Sequence, residues 1–146
     1  MEMLIVVTLL GLLAGITFPS VTAGIESVRL ASGADSFAAF LSGALNRADR
    51  LQEVVELEIA PAGGLIAMRS STPGFERRLE LPDRIRMRRV LPEIPGEPQA
   101  PRRILLYPGG AVPQVAVELV NGRGAIRTVM IDPITGVPRI QRGEAQ

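Results

Sequence analysis

The chain has 146 residues, a length that suits one modest domain plus an appendage. Its net charge of +1 gives no global basis for binding nucleic acid. With no Cys and no His, it has no disulfides, thiol nucleophile or Cys-based zinc site, and it lacks the usual general base and the commonest metal ligand.

Hydrophobic residues make up 47% of the chain, and the excess sits at the N-terminus, where no residue from Met3 to Ile25 is charged. A helix rises about 1.5 Å per residue and a bilayer core takes about 20 residues, so this stretch is long enough to span. The part before Pro19 alone is marginal. Pro19 has no backbone N–H, and its ring presses on the carbonyl of Gly15, so a kink or a local loss of helix is expected there. Gly11 and Gly15 form a G-x-x-x-G, which lets helices approach closely in lipid, although small residues are common in membrane helices anyway.

Glu2 stands at the head of this apolar run. A carboxylate costs about 2.5–3.5 kcal/mol at the bilayer centre and less near an interface. It either stays among the headgroups, favoured by the helix dipole, or pairs with a cation on a neighbouring subunit. Val21-Thr22-Ala23 has the look of a signal-peptide cleavage site, but such a signal wants a basic first region, and no Arg precedes Arg29.

Residues 2 to 15, Glu-Met-Leu-Ile-Val-Val-Thr-Leu-Leu-Gly-Leu-Leu-Ala-Gly, resemble the N-terminal signature of type IV pilins and pseudopilins. Glu2, the hydrophobic block, Gly11 and Pro19 stand at that family's spacing. The resemblance implies that a prepilin peptidase removes a short basic leader and methylates the new N-terminus. It implies that Glu2 neutralises the terminal amine of an adjacent subunit during assembly. It also implies that the helix between Gly11 and Pro19 loses helicity in the filament. An in-frame extension upstream of Met1, with Lys or Arg and a Gly-Phe-Thr-like junction, is therefore expected.

The helical pattern continues through residues 26–52. Leu30, Ala34, Phe37, Leu41, Ala44, Leu45 and Ala48 recur at three- and four-residue spacing, which predicts a long helix to about Arg50 with one face buried. Residues 53–146 then read as a β-rich head. Val55, Leu57 and Ile59 alternate with Glu56 and Glu58. Pro61-Ala62-Gly63-Gly64 is a turn into a partner strand at Leu65 to Arg69. Alternation returns over Phe75 to Leu81 and around Ile85 and Met87. Later strands are predicted at Ile104 to Tyr107, Val115 to Val120, Ala125 to Ile131 and Val137 to Gln141. The fold class is α+β, a long helix packed on antiparallel β-structure. Pro92 to Pro101, with four prolines, is an exposed loop between sheet halves.

Leu81-Pro82-Asp83-Arg84-Ile85-Arg86, Leu106-Tyr107-Pro108-Gly109-Gly110 and the stretch Arg127 to Gly136 resemble the GspH/FimT branch of minor pseudopilins. That resemblance implies a structural subunit of the type II secretion pseudopilus, not an enzyme. It would be held in the inner membrane by one helix, with its head in the periplasm, and its partners would be other pseudopilins and the prepilin peptidase. No cofactor, metal or catalytic residue is expected, and nucleic acid is not the expected partner.

Arg84, Arg86 and Arg88 alternate on one predicted strand face. They form either a solvated surface or a phosphate-contacting stripe. The stripe belongs to a second reading, a minor type IV pilin that binds DNA during uptake. Aromatics are only 3% of the chain, which leaves little for base stacking. Arg123, Arg127, Arg139 and Arg142 are dispersed and point to no site by themselves. A third reading is a generic membrane-anchored interaction domain.

Overall fold

A computed structural model describes residues 2–143, with the backbone alone described for residues 17–20. One helix, α1 (Glu2–Leu51), is followed by eight strands. These are β1 (Val55–Ala60), β2 (Leu65–Ser70), β3 (Glu76–Leu79), β4 (Arg86–Leu91), β5 (Arg102–Leu106), β6 (Ala116–Val120), β7 (Ile126–Ile131) and β8 (Pro138–Gly143). The class is α+β, as the periodicity predicts.

The C-terminal half of α1 belongs to the core of the head. Leu30, Ala34, Phe37, Leu41, Ala44 and Ala48 are buried, and Leu45 is partly buried. Their spacing is that of one helical face. Gly33 lies on the same side, where an added Cβ would stand 3.2 Å from Pro82 Cδ. The helix stops because Gln52 turns into the left-handed region at φ 52 and the Glu53 N–H donates to the Ala48 carbonyl at 3.2 Å. This is the hydrogen bond of a Schellman ending, with Gln in the place usually held by Gly. The Gln52 amide also donates to the Asp49 carbonyl at 2.6 Å, satisfying another terminal acceptor.

The strands form two four-stranded antiparallel sheets, ordered β3-β2-β1-β5 and β4-β6-β7-β8. Sequence neighbours β4 and β5 lie in different sheets, and residues 92–101 carry the chain between them. Val55, Leu57 and Ile59 of β1 point inward, as do Val117 and Leu119 of β6 and Val129 and Ile131 of β7. Strand periodicity of two sends the intervening Glu56 and Glu58 outward. There they meet Arg69 and Arg103 from the flanking strands, with Arg69 Nη1 3.0 Å from Glu58 Oε2.

Two expectations need correction. The helix runs unbroken through Pro19, so of the two outcomes expected there the isolated subunit does not show the local loss of helix. The Pro19 side chain lies outside the described residues. Arg84, Arg86 and Arg88 are all exposed, but they do not share a strand. Arg84 sits in a turn at φ 67, before β4 begins at Arg86, and Arg88 lies at the register shift between Met87 and Arg89. Such a bulge reorients the residues around it.

Candidate assembly interface

The N-terminal half of α1 has nothing packed on it. Nine aliphatic side chains from Leu4 to Ile16 are each at least half exposed. Soluble monomers rarely leave large contiguous apolar patches bare, and here every large aliphatic side chain from Leu4 to Ile16 is uncovered. The helix is long and apolar enough to cross a membrane. The uncharged run Met3 to Ile25 spans about 35 Å as a helix, against a hydrocarbon core of about 30 Å.

Along this rod the structure places three of the residues singled out from the sequence. Glu2 occupies the first turn and is exposed. A carboxylate there is favoured by the unpaired N–H groups and the helix dipole. Gly11 and Gly15 lie one turn apart, and a Cβ at either would meet nothing within 4 Å. They leave a shallow, unobstructed strip on which another helix backbone can lie closely. Thr8 Oγ1 donates to the Leu4 carbonyl at 2.7 Å, so its hydroxyl is satisfied within the helix and adds no polar demand in lipid.

Where the rod meets the head, a clamp appears that no local pattern announces. Glu26 is the first charged residue after the apolar run, and its side chain is only 13% exposed. Arg123 Nε lies 3.2 Å from Glu26 Oε2, and Arg84 Nη1 lies 3.6 Å from Oε1. Arg123 Nη2 also donates to Thr22 Oγ1 at 2.8 Å. The β6–β7 turn, residues 121–125, holds Arg123 in place. Asn121 Oδ1 accepts the N–H of Arg123 at 3.0 Å and that of Ala125 at 2.9 Å.

A second clamp holds the far end of α1. Asp49 Oδ1 accepts the Gly109 N–H at 3.0 Å. Arg47 Nε lies 2.6 Å from Glu53 Oε1, and its guanidinium sits 3.4 Å from the Phe75 ring centroid. Hydrogen bonds from Thr72 and Ser70, with Arg47 beside them, hold the Glu53 carboxyl below the usual range. The two clamps bracket the buried face of α1, so the head is fixed to the second half of the helix while the first half projects from it.

The arginines distribute unevenly. Arg69, Arg78, Arg89, Arg103 and Arg139 each face a carboxylate, Arg89 through two hydrogen bonds of 2.8 and 2.9 Å to the buried Glu118. Of the three on the predicted stripe, Arg84 leans on Glu26 and Arg88 on Glu118, which leaves Arg86 without an ion pair among the described residues. The set dispersed along the C-terminal third behaves differently. Arg139 goes to Asp132, while Arg123, Arg127 and Arg142 gather near the point where α1 leaves the head.

Comparison with protein-family models, curated proteins and solved structures finds no match to this chain.

Proposed function

We propose that this chain is a minor pseudopilin of the type II secretion pseudopilus, a structural subunit that waits in the inner membrane with its head in the periplasm. The observation that carries this reading is the division of a single helix between two surroundings. One face of residues 30–48 is buried in the head, whereas residues 3–16 are bare all round, with Glu2 at the tip and Gly11 and Gly15 unobstructed. A simple anchor tolerates a carboxylate at its apolar end among the headgroups, but a helix drawn into a bundle must neutralise it. In a bundle of such helices, Glu2 has the terminal amine of a neighbouring subunit as its counter-charge, and the glycines admit close helix contact. The rigid clamps make the helix and head move as one body, which extraction from the membrane into a filament requires.

Glu2→Ala tests the reading. The variant should leave the head folded and membrane-inserted while lowering incorporation into filaments, scored by cross-linking to other pseudopilins and by secretion of cargo. Normal assembly and normal secretion with this variant would count decisively against it.

A further inference from the structure

We infer that the arginines gathered where α1 leaves the head form a collar that binds anionic phospholipid headgroups. This rests on α1 crossing a membrane and is independent of the filament reading. Five residues carry the argument beside the Glu26 clamp. Arg29 is exposed one turn beyond Ile25, where the uncharged run ends. Arg86 is exposed and stands opposite Val120, the last residue of β6 before the turn that holds Arg123. Arg127 and Arg142 stand directly opposite each other on β7 and β8, one register step from the start of β7. Arg84, with 71% of its side chain exposed, reaches only the edge of Glu26.

Two features make this more than a solvated surface. The first is selective placement. Most arginines elsewhere on the head, Arg69, Arg78, Arg89, Arg103 and Arg139 among them, sit against carboxylates; Arg29, Arg86, Arg127 and Arg142 have no ion pair among the described residues, a state they share away from the collar only with Arg50, Arg77 and Arg102. The second is repulsion built into the sheet. Like charges directly opposite on adjacent strands are destabilising, and Arg127 opposite Arg142 is such a pair. A phosphodiester between or beside them would relieve it. Among the described residues, the carboxylates alongside are Glu26, already between Arg84 and Arg123, and Asp83, next to Arg84 in the chain.

Position decides the partner. With Met3 to Ile25 spanning the hydrocarbon, Glu26 and Arg29 fall at the headgroup level, and the turn bonded to Glu26 lies beside them. An arginine near an anionic bilayer surface strengthens attachment by up to about fivefold, and the attraction fades within a Debye length of about 8 Å at physiological salt. Long arginine side chains also extend readily to the interface while their stems lie on apolar surface.

The test uses the full chain reconstituted in phosphatidylcholine bilayers containing spin-labelled phosphatidylglycerol or, in parallel, spin-labelled phosphatidylcholine. The immobilised fraction should favour the anionic lipid severalfold, and the preference should collapse in 1 M salt, where the Debye length is about 3 Å. Changing Arg86, Arg127 and Arg142 together to Gln should remove most of the preference, because these three carry no ion pair among the described residues. Glu26→Gln should increase it by removing the carboxylate that faces Arg84 and Arg123, and it decides the matter if the triple variant loses its fold by circular dichroism. Equal immobilisation of both lipids by the wild-type chain overturns the collar, as does a preference that a folded triple variant retains. Duplex DNA binding to the chain in phosphatidylcholine alone, lost in the triple variant and without lipid preference, assigns the arginines to nucleic acid instead. Extraction of the wild-type chain from vesicles by alkali overturns the membrane premise and the collar with it.

Discussion

Replacing Phe37 with Ala tests whether one half of α1 belongs to the head. Phe37 is 0% exposed and sits among the residues of α1 and the two sheets that form the core. Removing its ring forfeits the transfer free energy and leaves a cavity, together about 3–5 kcal/mol. Domains have only about 5–15 kcal/mol of net stability, so this is a large fraction of the whole. For a head of this size each kcal/mol shifts the midpoint by about 4 °C or more, giving a loss on the order of 15 °C. The control is Leu10→Ala, at a position 60% exposed on the bare half. A side chain that touches nothing in the head should change head stability by less than about 0.5 kcal/mol. The assay is calorimetric unfolding of the full chain in mild detergent, with the β-sheet signal of circular dichroism followed in parallel. A drop of only a degree or two for Phe37→Ala would refute the placement of α1 in the core. An equal drop for Leu10→Ala would refute the division of the helix into two surroundings.

Glycines in α1 should respond in opposite directions. Gly43→Ala should stabilise by about 0.5–1 kcal/mol, because the added methyl meets nothing within 4 Å and the helix gains rigidity. Gly33→Leu should destabilise by about 1–3 kcal/mol, because the site is closed by the Pro82 ring. Urea midpoints at unchanged slope check both. The turn after β7 should be sensitive to acid. Asp132 Oδ1 accepts the N–H groups of Thr135 and Ile134, and with Arg139 nearby this holds the carboxyl below its ordinary value. A depressed folded value means that its stabilisation is complete above about pH 3.9 and is lost as the pH falls through the lower folded value. An NMR titration of the Asp132 carboxyl should therefore show a midpoint below 3.9; a midpoint at or above it would contradict the hydrogen-bond geometry.

The amino-acid order alone determined the parts whose signal is local. The uncharged run from Met3 to Ile25 and the three- and four-residue spacing from Leu30 to Ala48 mark one long helix with two different faces to satisfy. Alternation from Val55 to Ile59 and the glycines and prolines between strands mark the β-head, because a period of two and the turn residues each act within a few positions. Tertiary structure decided everything that depends on residues far apart. The exchange of β4 and β5 between two sheets leaves no periodic trace. Neither does the bulge that breaks the Arg84–Arg86–Arg88 row. The continuous helix at Pro19 shows that a proline's local cost is not the last word on the chain around it. Most of all, Arg123, Arg127 and Arg142 look scattered in the sequence, and only the β6–β7 turn sets Arg123 against Glu26 and only the β7–β8 register sets Arg127 opposite Arg142. Charge has no periodicity to read when its partners come from opposite ends of the chain.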